Sequence, residues 1–194
     1  MHAPTSPIDA LKASREGVVA VDRPDLATLA LEGGDVLRYL HAVCTQDTAG
    51  LRPGDATQAL LLSPKGKIEF AFRLAVVDGG ALLDVDAGSA VALAERLARF
   101  VFRYEVTVGR PAPGAATLLG PGAEAALAAV AGPEPVVHRT PVGLDLVGPG
   151  AAEAAAALGR AGVERAPAEV WELLRIERGL PRAGRELTDD VLAE

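Results

Sequence analysis

The chain contains very few of the residue types that build cross-linked or aromatic-rich proteins. It has 194 residues with one cysteine, one methionine and one tryptophan, and only 4% of the residues are aromatic. A single cysteine, Cys44, cannot form an intrachain disulfide or a multi-cysteine zinc or cluster site, which is typical of a reducing compartment. The core must therefore be built mainly from Leu, Val and Ala.

Long apolar runs and an excess of positive charge are also missing. No run approaches the about 18 residues of a membrane span, and the first residues hold no apolar stretch of signal-peptide length. We therefore expect a cytoplasmic protein without a membrane partner. The net charge of −7 argues against a nucleic-acid partner, because phosphate binding needs a local excess of Lys and Arg. Small molecules or proteins are the expected partners.

Metal and nucleotide motifs are not found either. His2, His41 and His138 have no partner four residues away and no carboxylate at a metal-ligand spacing. No glycine-rich loop of the Walker or dinucleotide type occurs. The sequence predicts no metal site.

Hydrophobic residues make up 49% of the chain, enough for a sizeable core, and their spacing predicts the elements. Residues 1–16 are predicted to be a loose arm with a short helix around Ile8 to Ser14. The runs GVVAV and LATLAL, separated by Asp22-Arg23-Pro24-Asp25, predict a first hairpin. Asp35 is predicted to cap the helix that follows.

The clearest strand pattern lies in Lys67 to Val77. Apolar residues alternate with Lys67, Glu69 and Arg73, which predicts an antiparallel strand with one wet face. This strand, the run ATQALLLS before it and the run ALLDVD after it are predicted to form a three-stranded meander. A helix from about Ala90 to Arg103 is predicted next, with its inward side formed by Leu93, Leu97, Phe100 and Val101.

The second half of the chain echoes the first. ATLLG, a Gly-Pro-Gly turn and a helix repeat the order of LATLALEGG and DVLRYLHAV. The Pro/Gly break after residue 109 predicts a domain boundary, so residues 17–110 and 111–194 are predicted as two units. Helices between hairpin-joined strands predict an α+β fold of two related antiparallel units.

The segment from Ala168 onward holds the tryptophan. A helix is predicted from about Ala168 to Arg178, since Pro167 can start it and Gly179 and Pro181 can end it. Its apolar side is predicted to be formed by Val170, Leu173, Leu174 and Ile176.

This segment contains the run W-x(4)-I-E-x-G-x-P-x-x-G-x-E, which resembles the YgfZ/GcvT folate-binding family. The matching residues are Trp171, Ile176, Glu177, Gly179, Pro181, Gly184 and Glu186. Weaker matches follow the family's order elsewhere, at Thr45 and Asp47, at Leu60 to Lys67 with SPKGK, and at Gly120-Pro121-Gly122.

The resemblance implies a pseudo-symmetric body that binds tetrahydrofolate. It is strongest to the YgfZ branch, which maintains iron-sulfur clusters, and so implies iron-sulfur proteins as partners. In that branch the segment leads into a Lys-Gly-Cys-Tyr-x-Gly-Gln-Glu motif and a C-terminal barrel, and this chain ends before them. We expect the uncovered surface to allow self-association.

Four residues are predicted to contact the folate. Trp171 offers a flat face for the pterin or benzoyl ring, with packing of its helix as the alternative. Glu177 can accept N–H donors of a pterin, or be a solvated helix residue. Arg175 and Lys65 complete the set, although pairing with Glu172 also explains Arg175.

Two sets of cations are further candidates for the anionic tail of a folate. One comprises Lys65, Lys67 and Arg73, and the other Arg96, Arg99 and Arg103; a solvated face explains both as well.

The resemblance also bears on catalysis. Transferases of the glycine-cleavage T-protein type carry aspartates just after the PKGK-like turn, and the positions aligned with them here are Phe70 and Ala71. Only Glu69 is a nearby carboxylate. No catalytic residue is therefore predicted, and Cys44 is interpreted as a buried structural thiol rather than a substitute for the motif cysteine.

Three hypotheses remain from the sequence. The first is a non-catalytic YgfZ-type folate-binding protein that assists iron-sulfur cluster assembly or repair. The second is a folate-dependent aminomethyl or methyl transferase, and the third is a degenerate scaffold that binds a protein partner.

Overall fold

The structure is a computed structural model that describes residues 6–132, 135–182 and 185–187. Its elements in chain order are α1 (Pro7–Glu16), β1 (Val19–Asp22), β2 (Leu26–Glu32), α2 (Val36–Val43), β3 (Ala56–Leu62), β4 (Ile68–Val77), β5 (Gly80–Asp86), α3 (Ala90–Ala98), β6 (Thr107–Val108), β7 (Ala112–Pro113), β8 (Ala116–Leu119), α4 (Ala123–Ala128), β9 (Val136–Arg139), β10 (Leu144–Val147), α5 (Ala151–Arg160), β11 (Glu164–Ala166) and α6 (Ala168–Glu177). None of these helices is long and apolar enough to cross a membrane.

Contacts divide the chain into two compact units, each built from two separate segments of the sequence. The first unit contains the residues up to 24 and residues 114–180, and the second contains residues 25–113 and those from 181 onward. This division differs from the predicted one at both ends of the chain, because residues 17–24 group with residues 114–180 and the residues from 181 onward group with residues 25–113. The expected loose arm forms α1, whose Ser6 cap accepts an N–H from Asp9 at 3.2 Å, and this helix belongs with the residues after 113.

The second unit is a six-stranded antiparallel sheet with helices packed on it. The strand order is β3-β4-β5-β2, with β6 and β7 both pairing with β2, so the predicted meander is confirmed. Phe72, Leu74 and Val76 of β4 are buried in one core with Leu93 and Leu97 of α3. The other face of β4 was predicted to be exposed to solvent, but this is only partly so. Ala75 of β4 is buried on that face, and so is Asp84 of the neighbouring strand β5.

The first unit has the strand order β11-β1-β8-β10-β9, with β1 parallel to β11 and the other pairs antiparallel. The predicted hairpin of β1 and β2 is therefore wrong, because β1 pairs with β8 and β11 while β2 pairs with β5. The turn-forming residues Asp22 to Asp25 indicated only that one strand ends and another begins, not that the two strands pair. Val19, Ala20 and Val21 are each 1% exposed, and burial on both faces requires a sheet interior rather than a two-stranded ribbon.

The predicted internal echo corresponds to a repeated topology. With β3 and β1 set aside, both units run strand, helix, strand, strand, helix, strand: β2, α2, β4, β5, α3, β6 in the second and β8, α4, β9, β10, α5, β11 in the first. Strand β3 is an addition between α2 and β4 in the second unit, and β1 is an addition between β8 and β11 in the sheet of the first. This is the split βαβ arrangement, and the α+β prediction is confirmed. Gly33 and Gly120 follow the first strand of each repeat at φ 133° and 113°. A Cβ there would lie 2.0 Å and 2.3 Å from a backbone oxygen.

Two helix predictions need correction. Helix α3 ends at Ala98 and a 3-10 turn, Val101–Arg103, follows, so Phe100 is 41% exposed instead of facing inward. In α6, Leu173 and Ile176 are 45% and 59% exposed, whereas Arg175 is 2% exposed. The inward side of α6 consists of Val170 and Arg175, which are buried, and of Trp171 and Leu174, which are half-buried. A long arginine stem can occupy such a position when its guanidinium is paired.

Candidate functional site

A groove of about 850 Å³ lies beside the start of β4 and along α3 in the second unit, a volume typical of small-molecule pockets. The strand side contributes Ser63, Lys67, Ile68, Glu69, Phe70 and Ala71, the helix side contributes Ser89, Ala92, Glu95, Arg96 and Arg99, and Val85 and Leu187 complete the lining.

The sheet itself creates this opening. Strand β5 pairs with β4 only from Arg73 to Val77, so the first five residues of β4 pair with β3 alone. A tight turn precedes them, in which Gly66 donates to the Ser63 carbonyl at 2.9 Å and Ser63 donates to the Lys67 carbonyl at 2.9 Å. The unpaired edge of Ile68 to Phe72 leaves room between the sheet and α3.

The groove combines cations with a hydrophobic lining. Arg96 donates from Nε to Oε2 of Glu69 at 3.0 Å, and its guanidinium lies 4.5 Å from the centroid of the Phe100 ring. Lys67 and Arg99 are exposed at the same groove. Glu95 also lines the groove, so three cations face two carboxylates, and Arg96 is paired with Glu69. The lining therefore carries a net positive charge of one, which favours an anionic ligand.

The predicted cation sets are divided differently in the structure. Lys67 from one set and Arg96 and Arg99 from the other line the same groove. Arg73 instead lies 3.6 Å from the buried Asp84, which accepts from Thr28 Oγ1 at 2.8 Å. The sequence could not predict that these cations lie together, because β5 separates β4 from α3 along the chain and only tertiary packing brings them side by side.

The positions aligned with the transferase aspartates lie in this groove. Phe70 and Ala71 both line it and neither carries a carboxylate. Glu69, the nearby carboxylate, is held by Arg96, with the two side chains 30% and 25% exposed. Its oxygen is therefore already an acceptor in an ion pair.

Lys65, one of the four predicted ligand contacts, lies exposed in the turn between Ser63 and Lys67, at the groove's edge. Trp171, Arg175 and Glu177 all lie on α6 in the first unit and do not line this groove. No finding tests their contact with a ligand, so those contacts stay predictions.

Trp171 packs against a buried polar cluster that the sequence did not indicate. The guanidinium carbon of Arg23 lies 3.7 Å from the centroid of the Trp171 ring. Arg23 is 5% exposed and donates to Thr117 Oγ1 at 3.0 Å, with Asp145 Oδ1 3.5 Å away. One face of the indole is thus covered by Arg23, as in a cation–π contact.

The other two predicted residues of α6 have protein partners. Arg175 donates to both carboxylate oxygens of Glu172, at 2.8 Å and 2.6 Å, and to the Leu180 carbonyl at 2.9 Å. This ties the chain after α6 back to the helix end. Glu177 forms an ion pair with Arg15 of α1 at 3.2 Å, and both side chains are about half exposed.

The cysteine is a half-buried thiol, and its Sγ lies 3.8 Å from the Gln46 carbonyl oxygen. Burial raises the pKa of Cys44 above its usual value, which lowers the thiolate fraction at neutral pH. Within residues 6–132, 135–182 and 185–187, no three His, Cys, Asp or Glu side chains come together as a metal ion would require.

No family model matches the chain, and no curated protein matches it. Among solved structures, the chain is similar to the crystal structure of the glycine cleavage system aminomethyltransferase T from Bartonella henselae. The TM-score is 0.79 at 24% sequence identity, and the match covers 97% of this chain. It covers 59% of the length of that enzyme. The chain therefore has the fold of this part of an aminomethyltransferase T.

Proposed function

We propose that the protein binds tetrahydrofolate in the groove between β4 and α3 of the second unit. The observation that carries this proposal is the lining of the groove. A hydrophobic wall that includes Ile68, Phe70 and Leu187 lies beside the cations Lys67 and Arg99. Folate has a flat ring system and a tail of carboxylates, which match an apolar wall with a cationic edge.

Each part of the lining has a distinct role in this proposal. Phe70 supplies aromatic surface for the ring system, and Arg99 and Lys67 bind the carboxylates of the tail. Arg96 stays paired with Glu69 and holds that carboxylate away from the ring. Lys65, in the adjoining turn, adds a further cation at the tail end.

We propose further that the protein is of the YgfZ type and assists iron-sulfur cluster assembly or repair without transferring a one-carbon unit. Tetrahydrofolate carries such units on nitrogen atoms, and a transferase needs a carboxylate directed at the reacting nitrogen. Supporting this choice, Phe70 and Ala71 occupy the aligned positions and Glu69 is engaged by Arg96.

The fold supports one alternative. The similarity to aminomethyltransferase T favours a folate-dependent transferase that uses Glu69 as its carboxylate. Formation of methylenetetrahydrofolate from tetrahydrofolate and an aminomethyl-carrier protein, with release of ammonia and the free carrier, would support this alternative if Glu69→Gln abolished it. No product with the wild-type protein would leave the binding function as proposed.

Calorimetric titration with tetrahydrofolate tests the site. The wild type should bind with a Kd between about 1 µM and 1 mM. Arg99→Glu should weaken binding about tenfold or more, because it reverses a charge at the tail position. Arg160→Glu, an equivalent reversal on α5 in the first unit, is the matched control and should bind like the wild type.

The same titration decides between the groove and α6. Trp171→Phe keeps an aromatic ring and should bind like the wild type if the ligand occupies the groove. Weaker binding by Trp171→Phe together with unchanged binding by Arg99→Glu would place the ligand at α6 and contradict the groove. No heat at about 1 mM folate would contradict folate binding altogether.

The cellular role needs a separate readout. Cells that lack the protein should lose activity of iron-sulfur enzymes and keep that of cluster-free enzymes. Restoration by the wild type and not by Arg99→Glu would link the role to the groove. Equal restoration by both would separate cluster maintenance from folate binding.

A further inference from the structure

Aromatic residues are scarce in this chain, and five of the seven are buried or half-buried, yet one short segment exposes two phenylalanines. The chain has four phenylalanines, and Phe102 and Phe100 are 76% and 41% exposed. They lie just after α3, around the 3-10 turn Val101–Arg103. Large exposed side chains that lie together on a soluble protein are typical of a binding surface.

Arginines flank both rings. The guanidinium of Arg103 lies 5.2 Å from the centroid of the Phe102 ring, and Arg96 lies 4.5 Å from that of Phe100. A third pair follows, with Arg38 5.1 Å from the centroid of Tyr104. The exposed Phe100 and Phe102 thus each contact an arginine, whereas Tyr104 is half-buried and its ring also contacts the buried Tyr39. Arginine and aromatic residues are the types enriched at the centres of protein interfaces.

The charge of this surface is opposite to that of the whole chain. Residues 96–104 contain three arginines and no acidic residue, within a chain of net charge −7. Arg99 and Arg103 are exposed, and neither has an acidic partner among the described residues. Glu95 and Glu105 flank the segment, which limits the positive area to its centre.

We propose that Arg99, Phe100, Phe102 and Arg103 form a docking surface for an acidic protein segment with hydrophobic side chains. The carboxylates of the partner pair with Arg99 and Arg103, and its apolar side chains cover Phe100 and Phe102. A second copy of the chain in a two-fold arrangement fits less well, because it would bring the same positively charged surface of both copies together. This surface adjoins the folate groove at Arg99 and extends away from it at Phe102.

The test uses a fluorescein-labelled peptide of about ten residues that alternates Glu with Leu, long enough to extend about 30 Å. Binding is measured by fluorescence anisotropy against the full chain. The peptide should bind with a Kd between about 10 µM and 1 mM, and a peptide with Lys in place of Glu should not bind. Raising the salt from about 0.1 M to about 1 M should weaken binding, since screening shortens the range of charge interactions from about 10 Å to about 3 Å.

Two variants outside the folate groove locate the surface. Phe102→Ala and Arg103→Glu should each weaken peptide binding about tenfold, and both should bind tetrahydrofolate like the wild type. Ile8→Ala, which removes another exposed apolar side chain, and Arg160→Glu are matched controls and should leave peptide binding unchanged.

Several results would overturn the proposal. Equal peptide binding by all four variants would show that the attraction is not at this surface. Binding of oligothymidylate that depends on Phe102, without peptide binding, would show a nucleic-acid surface. Sedimentation that shows a dimer lost in Phe102→Ala, again without peptide binding, would assign the surface to a second copy of the chain.

Discussion

The guanidinium carbon of Arg23 lies 3.7 Å from the centroid of the Trp171 ring, so the residue after β1 covers a residue of α6. Arg23 also contacts Thr117 on β8 and Asp145 on β10. This one side chain therefore joins an N-terminal strand to three elements that are at least 94 residues away in sequence. Its loss should affect the first unit more than the loss of any exposed arginine.

The first prediction is that Arg23→Met destabilises the protein by about 3 to 5 kcal/mol, because Asp145 would stay buried without the guanidinium. Urea unfolding followed by circular dichroism measures the change. Arg15→Met is the matched control: its ion pair with Glu177 is about half exposed on both sides and should contribute less than about 1 kcal/mol. Similar losses for the two variants would contradict the buried cluster.

The second prediction concerns the core of the second unit. Phe72 is 4% exposed and packs in the cluster with Leu74 and Leu93, so Phe72→Ala should cost about 3 to 5 kcal/mol. Phe102→Ala makes the same change at a side chain that is 76% exposed, and should stay within about 0.5 kcal/mol of the wild type. Urea melts of the two variants compare them directly. A loss below about 1 kcal/mol for Phe72→Ala would mean that β4 is not central to the core.

The third prediction is an alkaline loss of stability through Tyr39. Its hydroxyl donates to the Leu97 carbonyl at 2.7 Å, and burial raises the pKa of Tyr39 from 10.0 to about 12. Between these values the unfolded chain releases this proton while the folded chain keeps it. The stability contribution is therefore complete below pH 10 and is lost as the pH rises toward 12.

The variant Tyr39→Phe should lack this loss, which amounts to about 2 to 3 kcal/mol across the window. The measurement is the free energy of unfolding of both proteins as a function of pH. The difference between them should be constant below pH 10 and shrink above it. A constant difference through the whole range would show that the phenol ionises alike in both states.

The fourth prediction tests the ion pair in the groove. Glu69→Gln removes a negative charge and leaves Arg96 available, so tetrahydrofolate should bind as tightly as in the wild type or more tightly. Arg96→Gln leaves Glu69 without its partner and should weaken binding about tenfold. Calorimetry on both variants gives the comparison. Weaker binding by Glu69→Gln would show that this carboxylate contacts the ligand, in favour of a transferase site.

Local patterns in the sequence predicted the α+β class, the meander and the internal echo. Alternation along β4 is a property of neighbouring residues, and every second side chain must face the same side of a sheet. The echo of strand, glycine and helix is likewise local, because Gly33 and Gly120 are each required where the backbone leaves a strand with positive φ. The segment around Trp171 identified a helix and its two ends for the same reason.

The tertiary structure alone decided which strands pair and which side chains meet. Strand β1 pairs with β8 and β11 rather than with β2, the next strand in sequence, because only that sheet buries both faces of β1. Lys67 and Arg99 came to one groove through the packing of α3 beside β4, and Arg175 was buried because Glu172 and the Leu180 carbonyl satisfy its guanidinium. Such contacts depend on the burial of surfaces far apart in the chain, and hydrophobic spacing within one segment carries no information about that partner.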